Sequence, residues 1–194
     1  MHNVLFSYIE AKTGEELPDR EREAIMDAFS HKFMRKKQYF LQEGDVCRHI
    51  GFIVKGSARM FSVDDRGHEH IIHFGLECWW ISDQESLLHL TPSSYNIEML
   101  EDSELLVVPA HKIFELRQRS GCFDRTVNVL DQSATIAMQK RIHCAICMSA
   151  EERYFNLLAG YPQFFDRFPM NMIASYLGIS PETLSRIRKN SSGK

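Results

Sequence analysis

Short apolar runs separated by turn residues fill the chain from Phe33 to Pro109. Of all features of the sequence, this pattern most constrains the fold. Tyr39–Asp45 predicts a strand that enters a Glu-Gly-Asp turn, and Gly51–Gly75 predicts three short strands with breaks at glycine-containing turns. Tyr95–Pro109 predicts two more strands. Many short strands at regular spacing are typical of a sandwich, barrel or jelly roll.

Helical patterns flank this segment on both sides. Residues 1–32 have helical periodicity, a short helix is predicted over Ala110–Arg119, and a long helix is predicted from Phe123 to Met148. The run Ser149–Glu152 predicts a capping box, so the long helix should stop there and a new one begin. We therefore expect an α+β fold with a β-roll sensor domain and N-terminal helices at 1–120, a long dimerisation helix at 121–148 and a DNA-binding domain at 149–194.

Positions along the long helix recur at alternating spacings of three and four, which is a heptad-like pattern. Most of the side chains at these positions are apolar or small and would allow close approach of a second helix. We expect a homodimer through this seam, and the alternative is a helix that packs only on its own β domain. The seam positions are Val127, Leu130, Ala134, Ala137, Arg141, Cys144 and Met148.

The segment from Met172 to Lys189 has the local signals of a helix-turn-helix. Ile173, Ala174 and Leu177 form the apolar face of a short helix, and Gly178 follows where a tight turn needs a positive φ. Next come Ser180, a favourable N-cap, and Pro181, a favourable first helical residue.

The second helix of this pair is predicted to present polar side chains outward while Leu184 and Ile187 face inward. In a helix-turn-helix the second helix enters the major groove of DNA. Arginine can donate two hydrogen bonds to guanine, and glutamate can accept one from cytosine. Lysine and hydroxyl groups can bind phosphates. The alternative is an ordinary charged helical hairpin. The candidate DNA-binding residues are Ser180, Glu182, Thr183, Arg186, Arg188 and Lys189.

Charge and cysteine content bear on location and partners. The formal net charge is −3, but residues 168–194 carry four basic side chains against the single acid Glu182. An acidic body with a basic tail is compatible with binding double-stranded DNA. No apolar run approaches the roughly 18 residues that span a bilayer, and residues 1–10 lack a signal-peptide pattern. We expect a cytoplasmic protein with no membrane partner and with its five cysteines reduced.

The chain resembles the Crp/Fnr family, the cyclic-AMP-receptor and FNR regulators of bacteria, over about residues 33–190. The strings "LQEGD", "IVKG", "SVDDRGHEH" and "ISPETLSRIRK" match in order and spacing, and "SAEERY" and "IASYLGIS" are typical of a Bacteroidota-like subgroup. The resemblance implies a cyclic-nucleotide-binding-type β-roll and a transcription regulator that binds an inverted repeat as a dimer and acts with RNA polymerase. It assigns base reading to Glu182 and Arg186, and Pro181 stands where the family often has another arginine.

The family's nucleotide pocket uses a glutamate on a short helix and then an Arg-Ser pair that grips the phosphate. Here Asp83 falls near the glutamate, and Ser93 and Ser94 fall at the Arg-Ser pair. A cyclic phosphate would lose the pair of charge-assisted hydrogen bonds that an arginine donates to it. We therefore predict that the effector is an unknown small molecule and not cyclic AMP. Trp79 and Trp80 could line an altered pocket, and the alternative is that they fill the roll or its dimer contact.

Two further groups of side chains suggest other classes of protein function. His68, His70 and His73 could serve a cupin-like metal-dependent enzyme, although solvated strand histidines are favoured because no glutamate follows them at the cupin spacing. Cys144 and Cys147 lie one turn apart and could bind metal or act in redox chemistry, although two small buried residues are favoured. A β-roll adaptor is the other alternative. We predict no enzyme activity, no metal and no cofactor.

Overall fold

The computed structural model describes residues 1–191, and in it helices flank a segment of short strands, as expected. The helices are α1 (His2–Thr13), α2 (Asp19–Ala28), α3 (Gln84–His89), α4 (Ala110–Arg119), α5 (Gly121–Cys147), α6 (Ala150–Gly160), α7 (Gln163–Arg167), α8 (Met170–Leu177) and α9 (Pro181–Ser191). The strands are β1 (Ser30–Met34), β2 (Tyr39–Leu41), β3 (His49–Lys55), β4 (Ala58–Val63), β5 (Glu69–Gly75), β6 (Trp80–Ile81), β7 (Asn96–Met99) and β8 (Ser103–Pro109).

The strands form two four-stranded sheets, one in the order β1-β8-β3-β6 and the other in the order β2-β7-β4-β5. Side chains alternate between the two faces of each strand, so one face of each sheet is apolar and turns inward. Ile53, Ile97 and Leu105 belong to the resulting core and are almost fully buried. This is the predicted β-roll.

Helices cover the outer face of the first sheet. Phe52 and Leu106 point away from the interior of the roll and pack with Leu5 and Ile25 of the N-terminal helices and with Phe123 of α5. Full burial of an apolar side chain of this size contributes about 1.5–3 kcal/mol, so this layer also stabilises the sheet.

Long-range pairing corrects one predicted boundary. The helical periodicity of residues 1–32 predicts helix up to residue 32, whereas α2 ends at Ala28 and β1 starts at Ser30. Ser30 pairs with Val107 of β8, a partner remote in sequence. Strand pairing therefore overrides the local pattern, as tertiary context commonly does.

The contacts divide the chain into two compact units. The first contains residues 1–62 and 73–132, and the second contains residues 63–72 and the chain from Ser133 onward. The division falls inside α5, and the tip of the β4–β5 hairpin groups with the C-terminal helices. The three domain ranges expected from the sequence remain predictions.

The predicted capping box at the start of α6 is confirmed. The Ser149 hydroxyl accepts a hydrogen bond from the Glu152 N–H at 3.3 Å, and the Glu152 carboxylate accepts from the Ser149 N–H at 2.8 Å. These bonds satisfy backbone groups that a helix start leaves free, which explains why α5 stops at Cys147 and α6 begins at Ala150. Within residues 1–191, no helix combines the length and the apolar composition that crossing a membrane requires.

Candidate nucleic-acid interface

The turn between α8 and α9 has the geometry that its residues predict. Gly178 has φ 66° and ψ 38°, in the left-handed region that favours glycine. The Ile179 N–H donates to the Ala174 carbonyl at 3.0 Å, which closes the end of α8. The Ser180 hydroxyl then accepts from the Thr183 N–H at 3.2 Å and starts α9. The reversal is therefore built from local hydrogen bonds.

Helix α9 has an apolar inner face and a polar outer face. Leu184 and Ile187 are buried, and Ile173, Ala174 and Leu177 of α8 supply buried apolar side chains to the same unit. Of the six predicted DNA-binding residues, Thr183 is partly exposed and the others are exposed: Ser180, Glu182, Arg186, Arg188 and Lys189. Their side chains therefore form an accessible surface over the first turns of α9.

The carboxylate on this surface is held in its charged form. Hydrogen bonds from the backbone N–H of Glu182 itself and from the Ser180 hydroxyl lower the pKa of Glu182 below its ordinary value. An ionised carboxylate is only an acceptor, which is the property needed to pair with the amino group of cytosine.

The residues predicted to line a ligand pocket are instead partly engaged with one another. The Ser93 hydroxyl donates to the Asp83 carboxylate at 2.6 Å, and the two residues are 3% and 4% exposed. The other oxygen of Asp83 accepts from the backbone N–H groups of Glu85 and Ser86 and caps α3. Ser94 is exposed. The side chains of Asp83 and Ser93 thus have structural partners.

The two tryptophans lie in different surroundings. Trp79 stacks on the His73 ring with centroids 5.4 Å apart, whereas Trp80 packs 5.0 Å from Phe52 in the aromatic layer beneath the N-terminal helices. The five-residue ligand pocket stays a prediction. A cavity of about 30 Å³ lies nearby in the roll. It is lined by Ala58, Arg59, Met60, His73, Gly75, Trp80, Ile81, Ser82 and Ile97.

Two of the three predicted histidines share a carboxylate. His68 and His70 lie 3.2 and 3.0 Å from the Asp64 carboxylate, and both rings are exposed. These contacts, first that of His70, hold the pKa of Asp64 well below its usual range. His73 stacks on Trp79 instead. Over residues 1–191, no group of three or more His, Cys, Asp or Glu side chains has an arrangement that could hold a metal ion.

The cysteines are all free thiols. Burial raises the pKa values of Cys47, Cys78 and Cys122, which keeps these thiols protonated and weakly nucleophilic. Cys144 is half-buried, so the expectation of a small buried residue is met only in part, and Cys147 is exposed.

Several side chains of the seam predicted on α5 contact their own chain, and the seam itself stays a prediction. Val127 packs against the core of the first unit. Arg141 donates to the carbonyl oxygens of Ile71 and Ile72, and its guanidinium lies 4.3 Å from the ring centroid of Tyr176. The seam positions Leu130 and Met148 are partly exposed, and Ala134 and Ala137 are exposed.

A different face of α5 carries large apolar side chains in contact with solvent. Met138, Ile142 and Ile146 are 66%, 53% and 77% exposed. A shift of one residue turns a helical face by about 100°. Asp131, Thr135, Met138, Ile142 and Ala145 repeat the predicted spacing one residue later. Sequence reasoning did not single out the larger apolar residues of this second register.

Comparisons with known proteins identify the architecture. Residues 31–120 match the model of the cyclic nucleotide-binding domain family. The chain is 26% identical over 175 residues to the transcriptional activator protein FnrA of Stutzerimonas stutzeri, an alignment covering 79% of this chain and 67% of the relative.

Solved structures show the same fold. FixK2 from Bradyrhizobium japonicum superposes with a TM-score of 0.67 at 17% identity, covering 84% of this chain and 83% of that one. The catabolite activator protein of Thermus thermophilus superposes with a TM-score of 0.57 at 17% identity, covering 94% and 87%. The assignment to a Bacteroidota-like subgroup stays a prediction. Residues 31–120 thus form a cyclic nucleotide-binding domain, and with its β-roll, its long α5 and its C-terminal helix pair the whole chain has the fold of Crp/Fnr-type regulators.

Proposed function

We propose that this protein is a sequence-specific DNA-binding transcription regulator that binds an inverted-repeat site as a homodimer. The observation that carries the proposal is the α8–α9 pair, in which a glycine turn and a serine cap hold a polar, exposed face of α9 over a buried apolar face. This is the arrangement that inserts a helix into the major groove. RNA polymerase is the further partner that the family resemblance implies.

The outer face of α9 divides into base-reading and phosphate-binding groups. Arg186 can donate two parallel hydrogen bonds to guanine, and Glu182 can accept from cytosine on the paired strand. Ser180 and Thr183 lie at the start of α9, where hydroxyl groups and helix N–H groups suit a phosphate. Arg188 and Lys189 supply positive charge that is independent of sequence.

We place the dimer contact on the exposed apolar face of α5, formed by Met138, Ile142, Ala145 and Ile146. The occupant is a second copy of the chain, because one helix face that repeats at spacings of three and four is complementary to itself about a two-fold axis. Two-fold symmetry also matches an inverted repeat with half-site centres about 10–10.5 base pairs apart.

The effector that we propose is a small molecule other than cyclic AMP. A cyclic phosphate is an anion, and at the predicted grip it would meet the buried Asp83 carboxylate and the Ser93 hydroxyl. Burying an unpaired anion costs several kcal/mol, which is more than a few neutral hydrogen bonds return. Arg59 of β4 is paired with Glu98 at 2.6 Å.

The test begins with selection of genomic DNA fragments by the purified full chain, followed by fluorescence anisotropy on the recovered site. We expect an inverted repeat to be enriched and to bind far more tightly than a scrambled duplex. Lys140→Ala removes one positive charge from an exposed position on α5 and shows how much the net charge alone affects the affinity for DNA. Equal affinity for the selected and scrambled DNA would contradict the proposal.

A further inference from the structure

An open groove of about 540 Å³ lies beside strand β2 and the loop that leads into strand β3. Pockets for small molecules have volumes of about 300–1,000 Å³, so the groove has the size of a ligand site. Its described lining runs from Tyr39 to His49, a different stretch of the chain from the predicted grip at Asp83 and Ser93. It includes two aromatic side chains and two basic ones.

Backbone hydrogen bonds fix the loop that forms one wall of the groove. The Gly44 N–H donates to the Ser93 carbonyl at 2.8 Å, and the Ser93 N–H donates to the Asp45 carbonyl at 2.9 Å. The Cys47 N–H donates to the Ser86 hydroxyl at 2.8 Å. A wall that is already ordered does not have to be fixed when a ligand binds, which lowers the cost of binding.

Basic side chains from three elements lie near His49. Burial lowers the pKa of the His49 ring below its ordinary value, and nearby positive charge lowers it further. That charge comes from Lys32 on β1, Arg48 at the start of β3 and His111 on α4. Within residues 1–191, no hydrogen bond or ion pair engages the side chains of Arg48, His49 and His111, and Asp45 is the only acid in the described lining. Like charges repel, so a bound anion would remove an unfavourable interaction.

Aromatic surface adjoins this positive charge. Tyr39 is 38% exposed, and Phe40 is half-buried with the Lys32 ammonium 5.9 Å from its ring centroid. Aromatic side chains stack with flat aromatic molecules in offset or edge-to-face arrangements. The groove therefore combines an aromatic surface with a cluster of cations that have few acidic neighbours.

We propose that this groove binds a small molecule that carries a phosphate monoester on a flat aromatic body. A phosphate monoester has a charge of about −1.5 to −2 at pH 7, whereas a carboxylate or a cyclic phosphodiester carries a single negative charge. The permanent cations Lys32 and Arg48 complement such a dianion, and the guanidinium can donate two parallel hydrogen bonds to it. The aromatic body lies against Tyr39 and Phe40. The inference goes beyond the proposed function, because this site does not depend on DNA.

Calorimetric titration of the full chain at about pH 8, where the monoester is fully dianionic, tests the charge and the ring separately. Phenyl phosphate should bind with a Kd of about 1 mM or tighter, as expected for so small a ligand. Methyl phenyl phosphate keeps the ring but has one negative charge, and it should bind at least about fivefold more weakly. Inorganic phosphate, which lacks the ring, should also bind more weakly, and phenol should not bind.

A matched pair of arginine variants tests the position of the phosphate. Arg48→Gln should weaken the binding of phenyl phosphate by at least about tenfold, because a charged donor is lost. The exposed Arg48 side chain has no hydrogen-bond or ion-pair partner within residues 1–191, so the substitution should leave the fold intact. Arg35→Gln removes the same charge from an exposed position between β1 and β2, outside the described lining, and should change the affinity by less than about twofold.

The His49 ring gives an independent readout inside the groove. A bound anion favours the charged imidazolium, so phenyl phosphate should raise the pKa of His49 measured by NMR, whereas phenol should not. The variant His49→Asn identifies the resonance.

Several results would overturn the proposal. They are the absence of phenyl phosphate binding, equal affinities for phenyl phosphate and methyl phenyl phosphate, and equal losses in Arg48→Gln and Arg35→Gln, which would indicate attraction to the overall charge only. A pKa of His49 that stays unchanged at saturation would place the bound anion elsewhere and would also overturn it. These outcomes are the same whether or not the chain reads DNA, so they are distinguishable from a failure of the proposed function.

Discussion

The Asp83 carboxylate accepts a 2.6 Å hydrogen bond from the Ser93 hydroxyl at the place where the family resemblance expects a nucleotide phosphate to be held. Both side chains are buried, so this pair occupies the position with its own polar groups. We expect calorimetric titration of the pure protein with cyclic AMP and with cyclic GMP to show no binding at micromolar concentration. Micromolar binding that also tightens DNA binding would show that the effector prediction is wrong.

The same pair predicts a stability effect. Asp83→Ala removes the N-cap of α3, which costs about 1 kcal/mol, and leaves the buried Ser93 hydroxyl without its acceptor, which costs about 1–3 kcal/mol more. Urea unfolding measures the loss. Ser94→Ala is the matched control, because Ser94 is the exposed neighbour and its truncation should change the free energy of unfolding by less than about 0.5 kcal/mol.

Substitutions on α9 should distinguish side chains that read bases from side chains that add only positive charge to DNA binding. Arg186→Ala should cost about 1–3 kcal/mol of binding free energy and relax specificity at one base pair, because a forked contact to guanine is lost. Lys189→Ala should weaken binding to all sequences evenly and lower the slope of log affinity against log salt by about one. Competition among single-base variants of the recovered site measures both effects. Unchanged site selection by Arg186→Ala would reject the base-reading assignment.

Two isoleucines on α5 allow a matched test of the dimer face. Ile142 and Ile136 are 53% and 52% exposed but lie about 120° apart around the helix. Ile142→Glu should shift the equilibrium towards the 22.6 kDa monomer, because a contact with the second copy would bury its charge. Ile136→Glu should leave the dimer intact. Sedimentation at micromolar concentration distinguishes the two, and equal behaviour of both variants would refute the proposed face.

The capping box predicts a pH dependence. Hydrogen bonds from the Ser149 backbone N–H and then from its hydroxyl lower the pKa of Glu152 below its ordinary value. A carboxyl with a lowered folded-state pKa stabilises the fold fully above its unfolded-state pKa, about 4.3, and loses that contribution as the pH falls through the folded-state value. The Tm difference between wild type and Glu152→Gln should therefore be constant above about pH 6 and shrink below about pH 4. A difference that stays constant down to pH 3 would contradict this assignment.

Local chemistry made the α8–α9 helix pair and the junction between α5 and α6 predictable from the sequence. Gly178, Ser180 and the Ser149–Glu152 pair act within four residues of their own positions, through a positive φ or a side-chain bond to the nearby backbone. Interactions of such short range can be recognised in the local sequence without knowledge of the rest of the chain. For the same reason the outward positions of Glu182 and Arg186 followed from helical periodicity alone.

Only the tertiary structure decided which side of a helix or strand contacts which other part of the chain. The spacing on α5 is satisfied in two registers one residue apart, and only the structure shows that Val127 of the first register lies against the core and Arg141 against the β5 edge. Likewise Trp80 packs under the helices and Trp79 on His73, although the two are adjacent in sequence. Such choices depend on contacts between residues far apart in the chain, whose free energies a local pattern of apolar residues does not contain.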